Sequence, residues 1–211
     1  MFRRWAALLL LTAGCDAVFG VDDAYRPDAA ADAAIVDGYD TTQCPTTYVQ
    51  IGVLSSRYRL VTSTARPWDH ADDCADDAPG ATHLVAFSDQ LEVQTIQAIL
   101  DSSASLTITF LGLVQMPVAT TPGEGWVQLT GEPALPVWEL GQPNDGMDNA
   151  PETGQEQFGA MSKGRIGIID VRATQVGGAL CECDGRPVTS EAAQAMDVYR
   201  MSDTLRRHEP L

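Results

Sequence analysis

The sequence predicts an α+β domain in which short strands and two helices precede a long loop region. Two segments, near 66–78 and 88–103, carry apolar residues at helical spacing. Several short segments alternate apolar and polar residues, as half-buried strands do. Residues 115–163 are rich in Gly, Pro, Asn, Asp and Thr, and a stretch of this kind in a compact domain is usually functional or disordered.

The first elements are a hairpin, a helix and a short strand. The hairpin is predicted over residues 48–61, where Tyr, Ile, Val and Leu recur. The helix begins at Pro67, a residue that suits a first helical turn, and Trp68, Ala71 and Cys74 follow every three residues on one side. The apolar run at 83–87 is typical of a buried strand.

The second helix is predicted to start at Ser88 as its N-cap, with Asp89 in its first turn. Strands are predicted over 106–114, 164–173 and 178–185. The C-terminal tail, residues 186–211, has a weak helical pattern and could dock on the domain or remain loose. The predicted buried stripe of the second helix is Leu91, Thr95, Ile96 and Ile99, and the tail pattern is Ala192, Met196 and Tyr199.

The N-terminus predicts export and a lipid anchor. Residues 1–15 read as a signal peptide, because two arginines precede an apolar run far shorter than the roughly 20 residues that cross a bilayer. The ending Leu-Thr-Ala-Gly-Cys resembles a bacterial lipobox. This implies that Cys15 is lipid-modified and anchors the protein in the cell envelope, at the outer membrane or facing the periplasm. An ordinary signal peptide ending in Cys is the alternative.

Residues 16–42 are rich in Asp and Ala and predict a disordered tether between lipid and domain. The whole chain has 29 acidic and 13 basic residues, a formal net charge of −16. Such a chain is a poor ligand for nucleic acid or for an anionic membrane surface. An even number of cysteines beyond Cys15 predicts two disulfides in an exported protein, among Cys44, Cys74, Cys181 and Cys183.

The order of motifs over residues 43–185 resembles that of a C-type lectin-like domain. The resemblance implies an α+β fold with two helices, small antiparallel sheets and a long loop region that carries any ligand site. The motifs in order are Cys44-Pro45, Tyr58-Arg59-Leu60, Trp68, Ala71, Cys74, His83-Leu84-Val85, Phe110-Leu111-Gly112-Leu113, Trp126, Thr130-Gly131-Glu132-Pro133, Trp138, Gly141-Gln142-Pro143-Asn144, Glu156, Asp170 and Cys181-Glu182.

The resemblance also implies the disulfide pairing. Cys74 would pair with Cys181, and Cys44 would then pair with Cys183. The swapped pairing of Cys74 with Cys183 is the rival, because sequence alone does not determine connectivity. The family's other long-loop disulfide is absent, and its two positions fall at about Phe158 and Ala173.

A calcium and sugar site is implied in the long loop. Calcium takes six to eight oxygen ligands, and in the family a sugar's hydroxyls complete the shell. Pro143 is expected to follow a cis peptide bond, which turns its neighbours' side chains to one side. The implied metal ligands are Gln142, Asn144, Glu156 and Asp170, and the implied glycan contacts are Gln142, Asn144, Asp145 and Glu156.

One position departs from the family pattern. The family has Trp-Asn-Asp where this chain has Ile168, Ile169 and Asp170, so Ile169 supplies no side-chain oxygen. The alternative interpretation of the loop is plain turn chemistry, because Pro, Asn, Asp and Gly are turn residues. The loop before Glu156 is longer than is usual in the family. Its residues that could supply the missing oxygen ligand are Asp145, Asp148, Asn149 and Glu152.

These observations predict a non-enzymatic binding protein. None of His70, His83 and His208 has a zinc spacing, and no serine lies in a Gly-x-Ser-x-Gly motif. The first hypothesis is a membrane-tethered lectin that binds glycan through calcium. The second is a calcium-independent module with a degenerate sugar site that binds protein or cell-wall material. A structural envelope protein with no specific ligand is the third.

Overall fold

The computed structural model describes residues 40–103, 106–135, 137–146 and 156–208, with side chains to residue 204. The predicted signal peptide with its lipidation site Cys15, and the tether as far as residue 39, lie outside the described residues. Among the helices of the described part, none is long and apolar enough to span a membrane.

Within the described residues the chain forms eight strands and three α-helices, after a short 3-10 helix at Thr41–Gln43. The strands are β1 Val49–Gln50, β2 Arg57–Ala65, β3 Thr82–Leu84, β4 Ile108–Gln115, β5 Trp126–Gln128, β6 Glu156–Ser162, β7 Ile168–Arg172 and β8 Gly177–Cys183. The helices are α1 Pro67–Asp77, α2 Gln90–Ser102 and α3 Ser190–His208.

All eight strands belong to one mixed sheet. The order is β1-β2-β8-β4-β6-β7, while β3 pairs with β8 and β5 pairs with β4. The pairings are antiparallel except that of β4 with β8, which is parallel. The resemblance implied small antiparallel sheets. The parallel pairing of β4 with β8 instead joins the strands into one sheet. The α+β class and the C-terminal strands are confirmed.

Two disulfides close the fold on β8. Cys74 of α1 is bonded to Cys181, and Cys44 is bonded to Cys183, with Cα–Cα distances of 5.4 and 5.7 Å. The pairing implied by the resemblance is therefore confirmed and the rival pairing is not formed. Both bonds tie N-terminal segments to the last strand.

The start of α2 differs by one residue from the prediction. The N-cap is Asp89, not Ser88, because the Oδ1 of Asp89 accepts a hydrogen bond from the N–H of Glu92 at 2.9 Å. The carboxylate of Glu92 reaches back and accepts from the N–H of Ser88 at 2.7 Å. The two acidic side chains together satisfy backbone donors at the start of the helix.

The buried face of α2 is also rotated from the predicted stripe. Val93, Ile96 and Leu100 are buried, whereas Leu91 is 54% exposed. Helical periodicity allowed more than one apolar face here, and the packing partners of α2 decide which face is covered.

Two strands lie inside the stretch predicted as loop, residues 115–163. β5 pairs with β4, and β6 pairs with both β4 and β7. The prediction missed β6 because its small residues, Gly159 and Ala160, weaken the alternating pattern. Phe158, Ala160 and Met161 of β6 are buried in the core.

The tail forms a helix that docks on the domain. Ala192, Ala195 and Met196 of α3 are buried. The Tyr199 hydroxyl donates a hydrogen bond to the backbone oxygen of Gln115 at 2.9 Å, and its ring lies 5.7 Å from that of Phe158 in an edge-to-face contact. Of the two alternatives for the tail, docking is the one observed for residues 190–204.

Candidate functional site

The loop Gln142–Gly146 is held against β7 by one carboxylate. The Oδ2 of Asp170 accepts hydrogen bonds from the backbone N–H of Asn144 at 2.8 Å and of Asp145 at 2.7 Å. Asp170 is buried, so these bonds lie out of water. The peptide bond between Gln142 and Pro143 is cis, as the resemblance implied.

A second carboxylate ties the same loop to β6. Asp145 is buried with φ at +52°, a conformation that Asp tolerates better than most residues. Its Oδ1 accepts from the N–H of Glu156 at 2.8 Å, and the Oδ1 of Asn144 accepts from the N–H of Gly146 at 2.7 Å. The structure thus brings the predicted ligand residues of the loop, of β6 and of β7 to one place.

Two oxygens on the loop and on β7 lack partners. The Oε1 of Gln142 and the Oδ1 of Asp170 are buried and have no hydrogen-bond partner among the described residues. A buried acceptor left unsatisfied costs about 1–3 kcal/mol. A bound cation or a ligand hydroxyl would remove that cost, so these oxygens are the strongest sign of a ligand in the loop.

The electrostatics also favour a cation. Burial raises the pKa of Asp170 even though two N–H groups stabilise its charged form. Burial, followed by the negative charge of Asp170, raises the pKa of Glu156. Arg172 opposes this rise, but its Nε lies 4.0 Å from the Oε1 of Glu156 and its side chain is 58% exposed. Such a pair contributes little.

The sequence did not single out Arg172 as part of the site. It lies two residues after Asp170 on β7, so the two side chains share a side of the strand. That period of two is the signal that could have identified it. The possible compensating ligands Asp148, Asn149 and Glu152 lie outside the described residues.

Ile169 is a core residue as well as a missing ligand. It is 6% exposed and belongs to the same apolar cluster as Phe158 and Val171. Hydrophobic packing therefore occupies the position where the resemblance implies an amide. Because of this packing, a polar substitution at position 169 would lower the stability of the fold.

Replacing Ile169 by asparagine should lower the free energy of unfolding by at least about 1–3 kcal/mol, because an amide would be buried among apolar side chains. We expect no gain in calcium affinity. Urea denaturation and calcium titration of the variant measure both quantities. Ile169→Val is the matched control and should cost about 0.5–1.5 kcal/mol. An asparagine variant as stable as the parent and tighter for calcium would indicate a relic of a family calcium site.

A separate cluster of possible metal ligands lies inside the domain. His83 of β3, Glu182 of β8 and Asp184 are buried, and one ligand atom from each lies within 4.8 Å of the others. The imidazole does not suit a metal. Its Nδ1 lies 2.8 Å from the backbone oxygen of Leu84 and its Nε2 lies 3.1 Å from the Oδ1 of Asp184. Both nitrogens face acceptors, which assigns a proton to each and leaves no lone pair for a metal.

The cluster is an ion network. Burial disfavours the imidazolium of His83, but the hydrogen bond to Asp184 and the nearby carboxylates outweigh it and raise the pKa of His83. Burial raises the pKa of Glu182 to about 8. Arg186 bonds to Asp184 and lies 3.9 Å from Glu182, which adds a second cation. These charges connect β3 to β8.

Comparisons with known proteins bear on the fold. No protein-family model and no curated protein matches the chain. Among solved structures, the mouse scavenger receptor C-type lectin carbohydrate-recognition domain matches with a TM-score of 0.51 and 18% identity, covering 67% of this chain and 98% of that one. The C-type lectin CEL-I from Cucumaria echinata matches with a TM-score of 0.53 and 15% identity, covering 66% and 96%.

This protein has the C-type lectin-like fold. A Ca²⁺-dependent type II antifreeze protein, solved in its Ca²⁺-free form, shares it with a TM-score of 0.50 and 20% identity, covering 66% of this chain and 98% of that one. The C-type lectin-like domain is thus the scaffold of the Gln142–Gly146 loop. A structural likeness at 15–20% identity establishes the fold alone, and the ligand has to be argued from the site itself.

Proposed function

We propose that this protein is an exported, lipid-tethered binding module whose C-type lectin-like domain, residues 43–185, binds glycan through calcium. The observation that carries the proposal is the pair of buried oxygens without partners among the described residues, Gln142 Oε1 and Asp170 Oδ1. Hard oxygen donors of this kind are the ligands that calcium takes.

The residues present fit a calcium ion with an incomplete protein shell. Gln142, Asn144, Glu156 and Asp170 would hold it, and Ile169 would contribute no side-chain ligand. Bound there, calcium would supply a Lewis-acidic centre to which sugar hydroxyls can bind. The chain's own residues would orient the sugar, because Asp145 and Asp170 hold the loop backbone in place.

The named neighbours support a glycan as the ligand. The mouse scavenger receptor domain and CEL-I are a carbohydrate-recognition domain and a lectin by name. The antifreeze protein depends on calcium by name. Lipid attachment at Cys15 stays a prediction from the sequence, and it would place the binding module at the membrane of the cell envelope.

A calcium-independent module for protein or cell-wall material is the second candidate. Two observations favour it: Ile169 removes a ligand, and the guanidinium of Arg172 already places a positive charge 4.0 Å from Glu156. In this alternative the loop would hold its shape through Asp145 and Asp170 without a cation.

Calcium titration of the full chain by calorimetry, with thermal melts alongside, tests the proposal. The full chain is used because α3 packs on the domain. We expect binding heat and a higher melting temperature, since calcium at a hundred times its Kd would add about 2.7 kcal/mol of stability. Asp170→Asn should abolish both effects, because it replaces a carboxylate oxygen by an amide and removes a charge.

The matched control is Asp76→Asn, which removes the same charge at an exposed position of α1. It should leave the calcium response unchanged. Absence of heat and of stabilisation at millimolar calcium would contradict the calcium-dependent function and leave the calcium-independent module. A response that survives Asp170→Asn would place the cation elsewhere. If calcium binds, glycan-array binding with and without calcium then tests the sugar.

A further inference from the structure

A groove lies between α2, the segment Val137–Trp138 of the long loop region and the turn at residues 166–167 before β7. It encloses about 420 Å³, which is within the range of small-molecule sites. None of Gln142, Asn144, Glu156 and Asp170 lines it. The lining residues that matter for recognition are Gln90, Gln94, Gln97, Asp101, Trp138 and Ile166.

One wall of the groove is a row of polar side chains on α2. Gln90, Gln94, Gln97 and Asp101 are spaced by four, three and four residues, which places them on one face of the helix. A helix face turned toward another part of a domain usually carries apolar residues. Here it carries three amides and a carboxylate, an arrangement that recognises hydrogen-bonding ligands.

Gln97 supplies a fixed acceptor in this wall. It is 8% exposed, and its Nε2 donates to the Oδ1 of Asp101 at 2.9 Å. The same Oδ1 accepts from the N–H of Gly164 at 2.8 Å. Turning the amide over would set its oxygen against a carboxylate, so its orientation is determined. The Oε1 of Gln97 is buried with no hydrogen-bond partner among the described residues. A small shift of the surrounding side chains is needed before a ligand hydroxyl can donate a hydrogen bond to it.

The opposite wall is apolar and held in place. The indole of Trp138 contacts that of Trp126 edge to face, with ring centroids 4.9 Å apart. Backbone hydrogen bonds on both sides of Trp138 join its neighbours to Ile168, at 2.8 and 3.0 Å. Ile166, 87% exposed, extends this wall toward solvent. An indole opposite planar amides suits a sugar ring, which has an apolar C–H face and hydroxyl edges.

We propose that this groove is a second saccharide site, independent of metal, that takes one neutral sugar residue. A hydroxyl of the sugar donates to Gln97 Oε1, and its C–H face packs against Trp138. Asp101 is the single charged residue among the described residues of the lining, so the groove disfavours anionic sugars. The proposal does not depend on calcium in the Gln142–Gly146 loop.

Saturation-transfer NMR of the full chain in EDTA tests it, with methyl α-glucopyranoside, methyl β-galactopyranoside and chitobiose as probes. At about 50 mM sugar, a site with a Kd of about 5 mM would be nine-tenths filled. We expect transfer to at least one probe. It should be lost in Ala98→Trp, which fills the groove from an exposed position of α2, and in Gln97→Met, which removes the acceptor.

Thr95→Trp is the control, because Thr95 lies on α2 outside the groove. It should keep the signal, and so should Asp170→Asn. The melting temperature of each variant shows whether it is folded. If Gln97→Met does not fold, Ala98→Trp decides the test. Absence of transfer to all three probes, or equal transfer in Ala98→Trp, would overturn the proposal. Transfer that Asp170→Asn abolishes would place the sugar at the loop instead.

Discussion

Replacing Asp184 by alanine should lower the free energy of unfolding by about 3–5 kcal/mol at about pH 6. The imidazolium of His83 is buried, and its Nε2 lies 3.1 Å from the Oδ1 of Asp184. Removing that carboxylate leaves a positive charge in the core with a weaker set of counterions, and the hydrogen bond of the ring is lost. Urea denaturation with both disulfides intact measures the loss.

The loss should shrink as the pH rises. In the parent, the pKa of His83 is raised above 6.5, so the stability gained from its charge is complete below that value. It disappears as the pH rises through the raised pKa, because the ring is then neutral in both the folded and the unfolded chain. We therefore expect a smaller difference between parent and variant at about pH 9 than at about pH 6.

Asp184→Asn is the control for this experiment, because it retains an acceptor for His83 but not the charge. Its loss of unfolding free energy relative to the parent should be smaller than that of Asp184→Ala. A loss in Asp184→Ala that is equal at both pH values would argue against an imidazolium, and would reopen the cluster of His83, Glu182 and Asp184 as a metal site.

Replacing Phe158 by alanine should cost about 3–5 kcal/mol of unfolding free energy, as aromatic truncations in cores do. Phe158 is 1% exposed, and the centroid of its ring lies 6.1 Å from that of Trp68 and 5.7 Å from that of Tyr199. The resemblance puts one of the family's missing cysteines at about this position, and the ring of Phe158 joins α1, β6 and α3. Urea denaturation measures the loss, and hydrogen exchange of the α3 amides should show that this helix opens more readily.

Tyr199→Phe separates ring packing from hydrogen bonding. It removes the bond to the Gln115 oxygen and keeps the edge-to-face contact, so we expect a cost of about 0.5–1.5 kcal/mol. A Phe158→Ala variant that loses less than this control would show that the apolar side chain does not take over the stabilising role of the missing disulfide.

The sequence indicated which candidate ligand residues lie together in the fold, whereas it did not indicate what packs around them. Gln142, Asn144 and Asp170 lie in motifs of fixed order, and the structure brings them together. Ile169 illustrates the limit. Its lack of oxygen is visible in the sequence, but its place in the apolar cluster depends on neighbours from other strands. The pairing of His83 with Asp184 spans 101 residues, and no local pattern reports it.

The sequence by itself determined the α+β class, the order of most elements and the presence of two disulfides, whereas their pairing was implied by the resemblance and decided by the structure. Local propensity, turn residues and the even number of cysteines carry the information that the sequence holds. Only the tertiary structure decided which face of α2 is buried, whether α3 docks, and that Gln97 and Trp138 face one groove. The physical reason is that periodicity marks a helix face as apolar or polar, whereas the neighbours that cover it come from distant parts of the chain.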